Sequence, residues 1–183
     1  LPTLPTVVRE LGGRPLLCTL RTQGEGGQAR LSPEEYEQRL SALLEMGGFG
    51  LVDIELACGE GRIPRLVYLA KRQGIGVVIS KHDFAKTPPS EEITAALRKM
   101  KALGADLPKY AVMPHTPEDV LALLSATRQA SREIGPVITM SMAELGKLTR
   151  ACGGVFGCCL TFGAGQSASA PGQIGAEDLR AIL

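Results

Sequence analysis

Short apolar runs and amphipathic stretches alternate along most of the chain. Six apolar runs are typical of β-strands, and the segments between them place apolar residues at helical spacing. Strands buried on both faces of a parallel sheet are apolar throughout and are joined by helices, so the pattern predicts an α/β fold. The predicted strands cover residues 16–21, 51–56, 77–82, 109–113, 137–142 and 155–162.

Two of the predicted helices begin with specific start signals. Residues 32–35, Ser-Pro-Glu-Glu, form a capping box with proline at the first helical position, and residues 116–119, Thr-Pro-Glu-Asp, open a long helix. No linker or low-complexity segment interrupts the alternation, which predicts one domain over residues 1–183. The other predicted helices cover residues 7–11, 63–73, a segment from Ser90, 143–149 and 176–183.

Composition and charge exclude several classes of partner. The formal net charge of the 183 residues is +1, and no basic run is present, which argues against a nucleic-acid surface. The sequence contains neither an 18-residue apolar run nor a signal-peptide pattern, so we expect a cytoplasmic protein without a membrane partner. Five cysteines at irregular spacing, without a CxxC pair and with only two histidines, argue against a structural zinc site.

Polar residues collect where the predicted strands end. In parallel α/β folds the chemistry takes place beyond the carboxyl ends of the strands, so these residues are candidates for a site. They are Arg21 and Glu25 after the first strand, Asp53 and Glu55 on the second, Ser80, His82 and Asp83 at the third, Lys109 on the fourth, Met140 and Met142 on the fifth, and Phe162 on the sixth.

Lys109 is unusual because it lies on an otherwise apolar strand. A buried ammonium group is costly, and desolvation favours the free amine, which is the form that attacks a carbonyl to give a Schiff base. The alternative is a lysine at the mouth of a strand whose charged end reaches water. This strand alone leaves both interpretations open.

Seven motifs, in order, are similar to those of one enzyme family. They are residues 19–21 with 25–27, 52–55, 80–84 with 86–88, 105–114, 138–142, 157–163 and 169–173. On these motifs the chain, from about residue 7 to the end, resembles the type I 3-dehydroquinate dehydratases of the shikimate and quinate pathways, which form a Schiff base with their substrate.

The resemblance implies a fold and a reaction. It implies the (β/α)8 TIM-barrel fold, here with about six β/α units, and the elimination of water from 3-dehydroquinate to give 3-dehydroshikimate. It also implies a small-molecule substrate, no metal or other cofactor, and a homodimer. Two alternatives stay open: a non-catalytic dehydroquinase-like domain that binds metabolites or regulates, and another Schiff-base enzyme such as an aldolase. Residues 82–84 (His-Asp-Phe) and 169–173 (Ser-Ala-Pro-Gly-Gln) argue against the aldolase.

The resemblance also assigns roles to individual residues. It implies that Lys109 forms the Schiff base, that His82 is the general acid and base, and that Glu25 orients this histidine. Arg21 and Arg150 are implied to hold the substrate's carboxylate and hydroxyls. The remaining assignments are Ser169 and Gln173 in a loop that closes over the substrate, and Met140, Met142 and Phe162 in the apolar wall of the pocket.

Other interpretations of these residues are structural. His82 can cap a helix, Glu25 can be a solvated loop residue, and Arg150 can satisfy carbonyls at a helix end. His115 matches no role in the family. We expect Asp53 and Glu55 to support Lys109, and Lys81 to point away from the face that carries His82.

The N-terminus departs from the family pattern. A complete barrel of this kind has about 250 residues, and the chain matches it from the second helix onward, so we expect the first two strands and their Glu-x-Arg pair to be missing. Either a longer polypeptide or a natural short form is consistent with this. We expect a gap between strands 16–21 and 155–162, covered by a second copy or a separate segment, and reduced activity.

Overall fold

Five β-strands alternate with α-helices in the computed structural model, which describes residues 14–165 and 171–183. The strands are β1 (Leu17–Thr19), β2 (Leu51–Glu55), β3 (Gly76–Asp83), β4 (Leu107–Val112) and β5 (Ile138–Ser141). The helices are α1 (Pro33–Met46), α2 (Ile63–Arg72), α3 (Ser90–Ala102), α4 (Pro117–Ile134), α5 (Ala143–Cys152) and α6 (Ala176–Ile182). The predicted alternation is therefore confirmed, whereas the predicted helix over residues 7–11 lies outside the described residues.

The strands form one sheet in the sequential order β1-β2-β3-β4-β5. β1 pairs in parallel with β2, and β4 pairs in parallel with β5. A parallel connection requires a crossover, and each intervening helix supplies one. Within each of these two pairs, the carboxyl ends of the strands therefore lie at the same edge.

The contacts between residues divide the chain into two compact units. The first contains residues up to Ile79 together with Leu103–Asp106, and the second contains Ser80–Ala102 together with Leu107 onward. The first unit buries apolar side chains of α1, α2 and β2, namely Tyr36, Leu40, Leu44, Ile63, Leu66, Val52 and Ile54. The second buries Ile93, Leu97 and Met100 of α3 with Leu123 and Ala126 of α4. The single domain over residues 1–183 stays a prediction.

Both predicted helix starts are confirmed. The Ser32 side chain accepts a hydrogen bond from the backbone of Glu35, whose carboxylate accepts one from the backbone of Ser32 at 2.8 Å. Thr116 and Asp119 form the same reciprocal pair at the start of α4. Each box satisfies backbone donors that the first helical turn leaves without partners.

The predicted sixth strand over residues 155–162 is wrong. A 3-10 helix occupies Gly153–Phe156, and Gly157 then adopts a left-handed φ of 100° while its backbone N–H bonds to the Gly154 carbonyl. Glycine tolerates this turn, which is incompatible with a continuous strand. Only an isolated parallel bridge between Val137 and Cys158 remains, so the structure describes five strands where about six were expected.

Candidate active site

Lys109, within β4, and His82, near the end of β3, lie together in the second unit. The Lys109 Nζ atom is 3.0 Å from the His82 Nε2 atom, within hydrogen-bond reach. His82 is the last residue but one of β3, and Lys109 is the third residue of β4. This distance brings a primary amine into direct contact with a group that can accept or donate a proton at neutral pH.

Lys109 is buried although it carries an ionisable group. Its side chain and backbone are only 6% exposed, and its Nζ atom lies 5.2 Å from the centroid of the Phe162 ring. The neighbouring strand residues Pro108, Tyr110 and Ala111 are buried as well. The alternative of a lysine that simply reaches water from a strand mouth therefore does not describe Lys109.

The loop that follows His82 is held by a series of hydrogen bonds. The Asp83 side chain accepts bonds from the backbone N–H groups of Ala85 and Lys86, both at 2.9 Å. The Phe84 ring stacks on the His82 ring, with centroids 6.2 Å apart and planes inclined by 16°. Asp83 is therefore the residue that shapes this turn, and His82 is a strand-end residue and not a helix cap.

The end of β4 fixes the same loop from the other side. The Met113 N–H donates to the Lys86 carbonyl at 3.2 Å, and the Thr87 hydroxyl donates to the Met113 carbonyl at 3.0 Å. His115 joins in, since its Nε2 atom is 2.7 Å from the Ala85 carbonyl oxygen. His115, to which the sequence assigned no role, thus ties two strand-end loops together.

Arg150 is buried near the end of α5 and is only 2% exposed. One terminal nitrogen contacts the Met140 sulfur at 3.6 Å and the Phe162 carbonyl at 3.4 Å, and the other contacts the Pro171 carbonyl at 3.5 Å. Its Nε atom is buried without a hydrogen-bond partner, and no carboxylate in the described ranges pairs with its charge. Burial accordingly lowers the pKa of Arg150.

The contacts of Arg150 also explain why it is not a simple helix-end residue. Its partners lie on β5 and on the segments after α5, so it does not satisfy the last carbonyls of its own helix. Close packing of α5 against β5 makes this possible, because a Cβ atom on Gly146 would lie 2.3 Å from the Ser141 carbonyl. Met140 and Met142 are buried, Gln173 is partly exposed, and Ser169 lies outside the described residues.

A second polar cluster lies in the first unit, around Arg21. One guanidinium nitrogen donates to Glu55 at 2.9 Å and another donates to Asp53 at 2.5 Å. Burial by itself would lower the pKa of Arg21, but the two carboxylates outweigh it and the pKa is raised. Burial raises the pKa of Glu55 despite the hydrogen bonds that it accepts.

The loop after Arg21 folds back on that residue. The Thr22 and Ala29 backbones form a parallel bridge, and the Gly27 N–H donates to the Thr22 carbonyl at 2.8 Å. A Cβ atom on Gly27 would lie only 2.2 Å from the Arg21 carbonyl oxygen, so this close approach requires glycine. Glu25 lies in the short 3-10 helix of this loop and is buried, not solvated.

The structure thus groups the predicted site residues within each unit. The second unit brings Lys109 into contact with His82 and Phe162, and joins Arg150 to Met140 and Phe162. Lys81 points to the other face of β3, as expected, where its Nζ atom lies 5.0 Å from the Tyr110 ring centroid. In the first unit, Asp53 and Glu55 hold Arg21, and their support of Lys109 stays a prediction.

Sequence reasoning missed three residues that shape these clusters. The Thr22 hydroxyl donates to the Glu55 carboxylate, and the Tyr36 hydroxyl accepts from the Glu55 backbone N–H. The Phe84 ring stacks on the His82 ring. Tyr36 lies in the predicted helix that begins at the capping box of residues 32–35. A tyrosine on the apolar face of a helix was the available signal, since a tyrosine hydroxyl needs a hydrogen-bond partner when it is buried.

Other classes of site receive no structural support in the described part of the chain. Within residues 14–165 and 171–183, no group of three or more His, Cys, Asp or Glu side chains is arranged to hold a metal ion. In those same ranges no helix combines the length and apolar character that crossing a membrane requires.

Comparison with known proteins identifies the family. The family model for type I 3-dehydroquinase matches residues 2–183. A 3-dehydroquinate dehydratase from Syntrophotalea carbinolica is 50% identical over 175 residues, which cover 94% of this chain and 69% of that protein.

Solved structures agree with the sequence match. The 3-dehydroquinate dehydratase of Geobacillus kaustophilus is 42% identical with a TM-score of 0.94, over 98% of this chain and 70% of that one. The type I enzyme of Clostridium difficile, solved with covalently modified comenic acid, is also 42% identical, with a TM-score of 0.90 over 98% of this chain and 74% of that one. Neither the regulatory nor the aldolase alternative is supported by these relatives. The predicted fold class, that of the TIM-barrel family, is confirmed, and the chain belongs to the type I 3-dehydroquinases.

Proposed function

We propose that this chain is a 3-dehydroquinate dehydratase that eliminates water through a Schiff base on Lys109. Membership of the type I family supports the hydro-lyase reaction. The observation that carries the mechanism is the 3.0 Å distance between the Lys109 amine and the His82 imidazole. A buried amine and a proton carrier in contact are the two groups that this chemistry requires.

The proposed reaction begins at the ketone of the substrate. The Lys109 amine attacks C3 and water leaves, which gives an iminium ion. This ion acidifies the C2 proton, and His82 removes that proton while the electron pair of the C–H bond moves into the iminium system. The resulting enamine expels the C1 hydroxyl, which His82 protonates, and water hydrolyses the new iminium to release 3-dehydroshikimate and the free amine.

Arg150 is proposed to bind the carboxylate of the substrate. A buried guanidinium without a carboxylate partner in the described residues leaves a charge and an Nε donor unsatisfied. A carboxylate matches the planar fork of arginine with two parallel hydrogen bonds. Its contact with the Phe162 carbonyl supports this role, because the Phe162 ring itself lies over Lys109.

The remaining assignments are proposals that come from the family. Arg21 binds the hydroxyls of the substrate, and Glu25 orients His82. Ser169 and Gln173 close over the substrate, and Met140 and Met142 line an apolar wall with Phe162. The covalently modified comenic acid in the Clostridium difficile relative supports covalent chemistry in this family.

Turnover of 3-dehydroquinate by matched lysine variants tests the proposal. Lys109→Ala should lose nearly all activity, and Lys109→Arg should do no better because a guanidinium stays protonated. Lys81→Ala is the matched control, since its amine packs on the Tyr110 ring on the other face of β3, and it should keep most of its activity. Comparable losses in Lys81→Ala and Lys109→Ala would contradict the assignment.

We further propose a cytoplasmic homodimer. All five cysteines are free thiols, which supports a reducing compartment. Three apolar side chains are exposed on α5 and on the 3-10 helix that follows it, Leu145, Leu148 and Val155, which supports a partner surface. Sizing chromatography of the purified chain, with Leu148→Glu as the disrupting variant, tests the dimer; a monomer before any substitution would refute it.

A further inference from the structure

The geometry points to Glu55 as a positioning residue that fixes the guanidinium of Arg21 for substrate binding. This inference rests on the proposed function, in which Arg21 contacts the substrate. Glu55 itself is assigned no contact with the substrate. Its role is to hold Arg21 and Thr22, which follow β1, in one arrangement.

Three donors from two neighbouring residues converge on the Glu55 carboxylate. Its Oε1 atom accepts bonds from an Arg21 terminal nitrogen and from the Thr22 backbone N–H, both at 2.9 Å. Its Oε2 atom accepts a bond from the Thr22 hydroxyl at 2.5 Å. The Glu55 carboxylate therefore fixes both the Arg21 side chain and the backbone of the next residue, Thr22. Together these bonds orient the Arg21 guanidinium.

Strand register explains why Glu55 reaches this position. β1 and β2 pair with Thr19 opposite Asp53, so continuing the register by two residues puts Arg21 opposite Glu55. Side chains two residues apart lie on one face of a strand, and Asp53 accordingly takes the other arm of the guanidinium fork. The fork is thus divided between two carboxylates that are almost fully buried, while Arg21 keeps 19% of its side chain exposed.

Tyr36 of α1 holds the Glu55 backbone in place. The Glu55 backbone N–H donates to the Tyr36 hydroxyl at 2.9 Å. That hydroxyl in turn donates to the Asp53 backbone carbonyl at 3.4 Å. Tyr36 is buried on α1, so the helix anchors the end of β2. Burial of the Glu55 charge is costly, and the three donors offset it only while Arg21 and Thr22 keep their places.

A double-mutant cycle distinguishes positioning from general structural support. Glu55→Gln should raise KM for 3-dehydroquinate by roughly tenfold, the value of one charged hydrogen bond, and should change kcat by less than about threefold. If Glu55 acts through Arg21, the same substitution in an Arg21→Lys background should add less than about twofold. Glu37→Gln is the matched control, because Glu37 is an ion-paired glutamate of the same unit that contacts Arg62 and Arg65 instead, and its KM should not change.

Several results would overturn the inference. These are a full, additive tenfold effect in the Arg21→Lys background, an equal effect in Glu37→Gln, or an unchanged KM in Glu55→Gln. If Glu55→Gln does not fold, Thr22→Val replaces it: loss of the hydroxyl should raise KM by about threefold, Thr22→Ser should restore it, and a failure of Thr22→Ser to do so would contradict the inference.

An NMR measurement separates this inference from the proposed role of Arg21. In the unmodified protein the Arg21 guanidinium should show slow bond rotation and slow proton exchange, and Glu55→Gln should accelerate both. If Arg21→Lys leaves KM unchanged, the substrate-binding role of Arg21 is wrong, and the NMR result alone decides whether Glu55 positions this side chain. A guanidinium that is equally mobile with and without Glu55 overturns the inference.

Discussion

Replacing Arg150 by methionine should make the protein more stable and far less active. Arg150 is 2% exposed, and among the residues that the structure describes its Nε atom has no hydrogen-bond partner while its terminal nitrogens contact two carbonyls and a sulfur atom. Methionine has a similar length and fits an environment that already contains Met140. The substitution therefore removes a buried charge that no carboxylate of the described residues compensates, and it does so without leaving a large cavity.

The size of both effects follows from these contacts. A buried donor without a partner costs about 1–3 kcal/mol, and burying an unpaired charge costs more. We expect Arg150→Met to gain at least about 1 kcal/mol, or roughly 2–4 °C in Tm for a chain of this size. A substrate carboxylate would lose two charged hydrogen bonds of about 1.5–3 kcal/mol each, so kcat/KM should fall by roughly 10²–10⁴.

Chemical denaturation and the ultraviolet absorbance of the enone product measure the two effects on the same samples. Lys147→Met is the matched control, because it removes an exposed cation of the same helix that pairs with Glu144, and it should change neither quantity appreciably. Substrate or product should raise the Tm of the unmodified protein but not that of Arg150→Met. A destabilised Arg150→Met protein, or one that keeps its kcat/KM, would refute the reasoning.

Three further predictions follow from single residues. His82→Ala should lower kcat by roughly 10²–10⁴ but still permit slow adduct formation, since Lys109 is a separate residue; near-normal turnover would rule out its role as acid and base. Ala143 has a left-handed φ of 54°, so Ala143→Gly should raise the unfolding free energy by up to about 1 kcal/mol in urea titration, and a loss of stability would show that this backbone is not strained. Burial raises the pKa of Cys58 to about 11 from 9.0, so its thiolate fraction at pH 8 is about 100-fold below that of an ordinary thiol, and its alkylation should accelerate as the pH rises toward 11. Mass spectrometry with Cys58→Ser as reference measures this rate, and rapid labelling at pH 8 would contradict it.

The sequence predicted the elements well where local signals act alone. The capping boxes at Ser32 and Thr116 set the starts of α1 and α4, because each box involves only four consecutive residues. The segment over residues 155–162 is apolar enough for a strand, but the left-handed turn at Gly157 prevents one. An apolar run does not reveal the backbone conformation of a glycine within it, so this error was inherent in the pattern.

The sequence indicated which residues are candidates for the site, but it did not indicate how they contact one another. Polar residues at strand ends, together with the family resemblance, indicated Lys109, His82 and Arg150, and the structure brings the first two within 3.0 Å. Contacts between segments far apart in sequence were not predictable. Neither the division of Arg21 between Asp53 and Glu55 nor the anchoring by Tyr36 follows from any local pattern, since both depend on strand register and helix packing.

Covalent trapping with borohydride tests whether Lys109 forms the Schiff base. The purified chain would be incubated with 3-dehydroquinate or 3-dehydroshikimate, reduced with borohydride, digested and mapped by mass spectrometry, with Lys109→Ala treated in parallel. We expect one stable adduct on Lys109, because reduction of the iminium fixes the carbon skeleton to its nitrogen, and no adduct in Lys109→Ala. Labelling of Lys81, Lys71 or another lysine in place of Lys109 would contradict it.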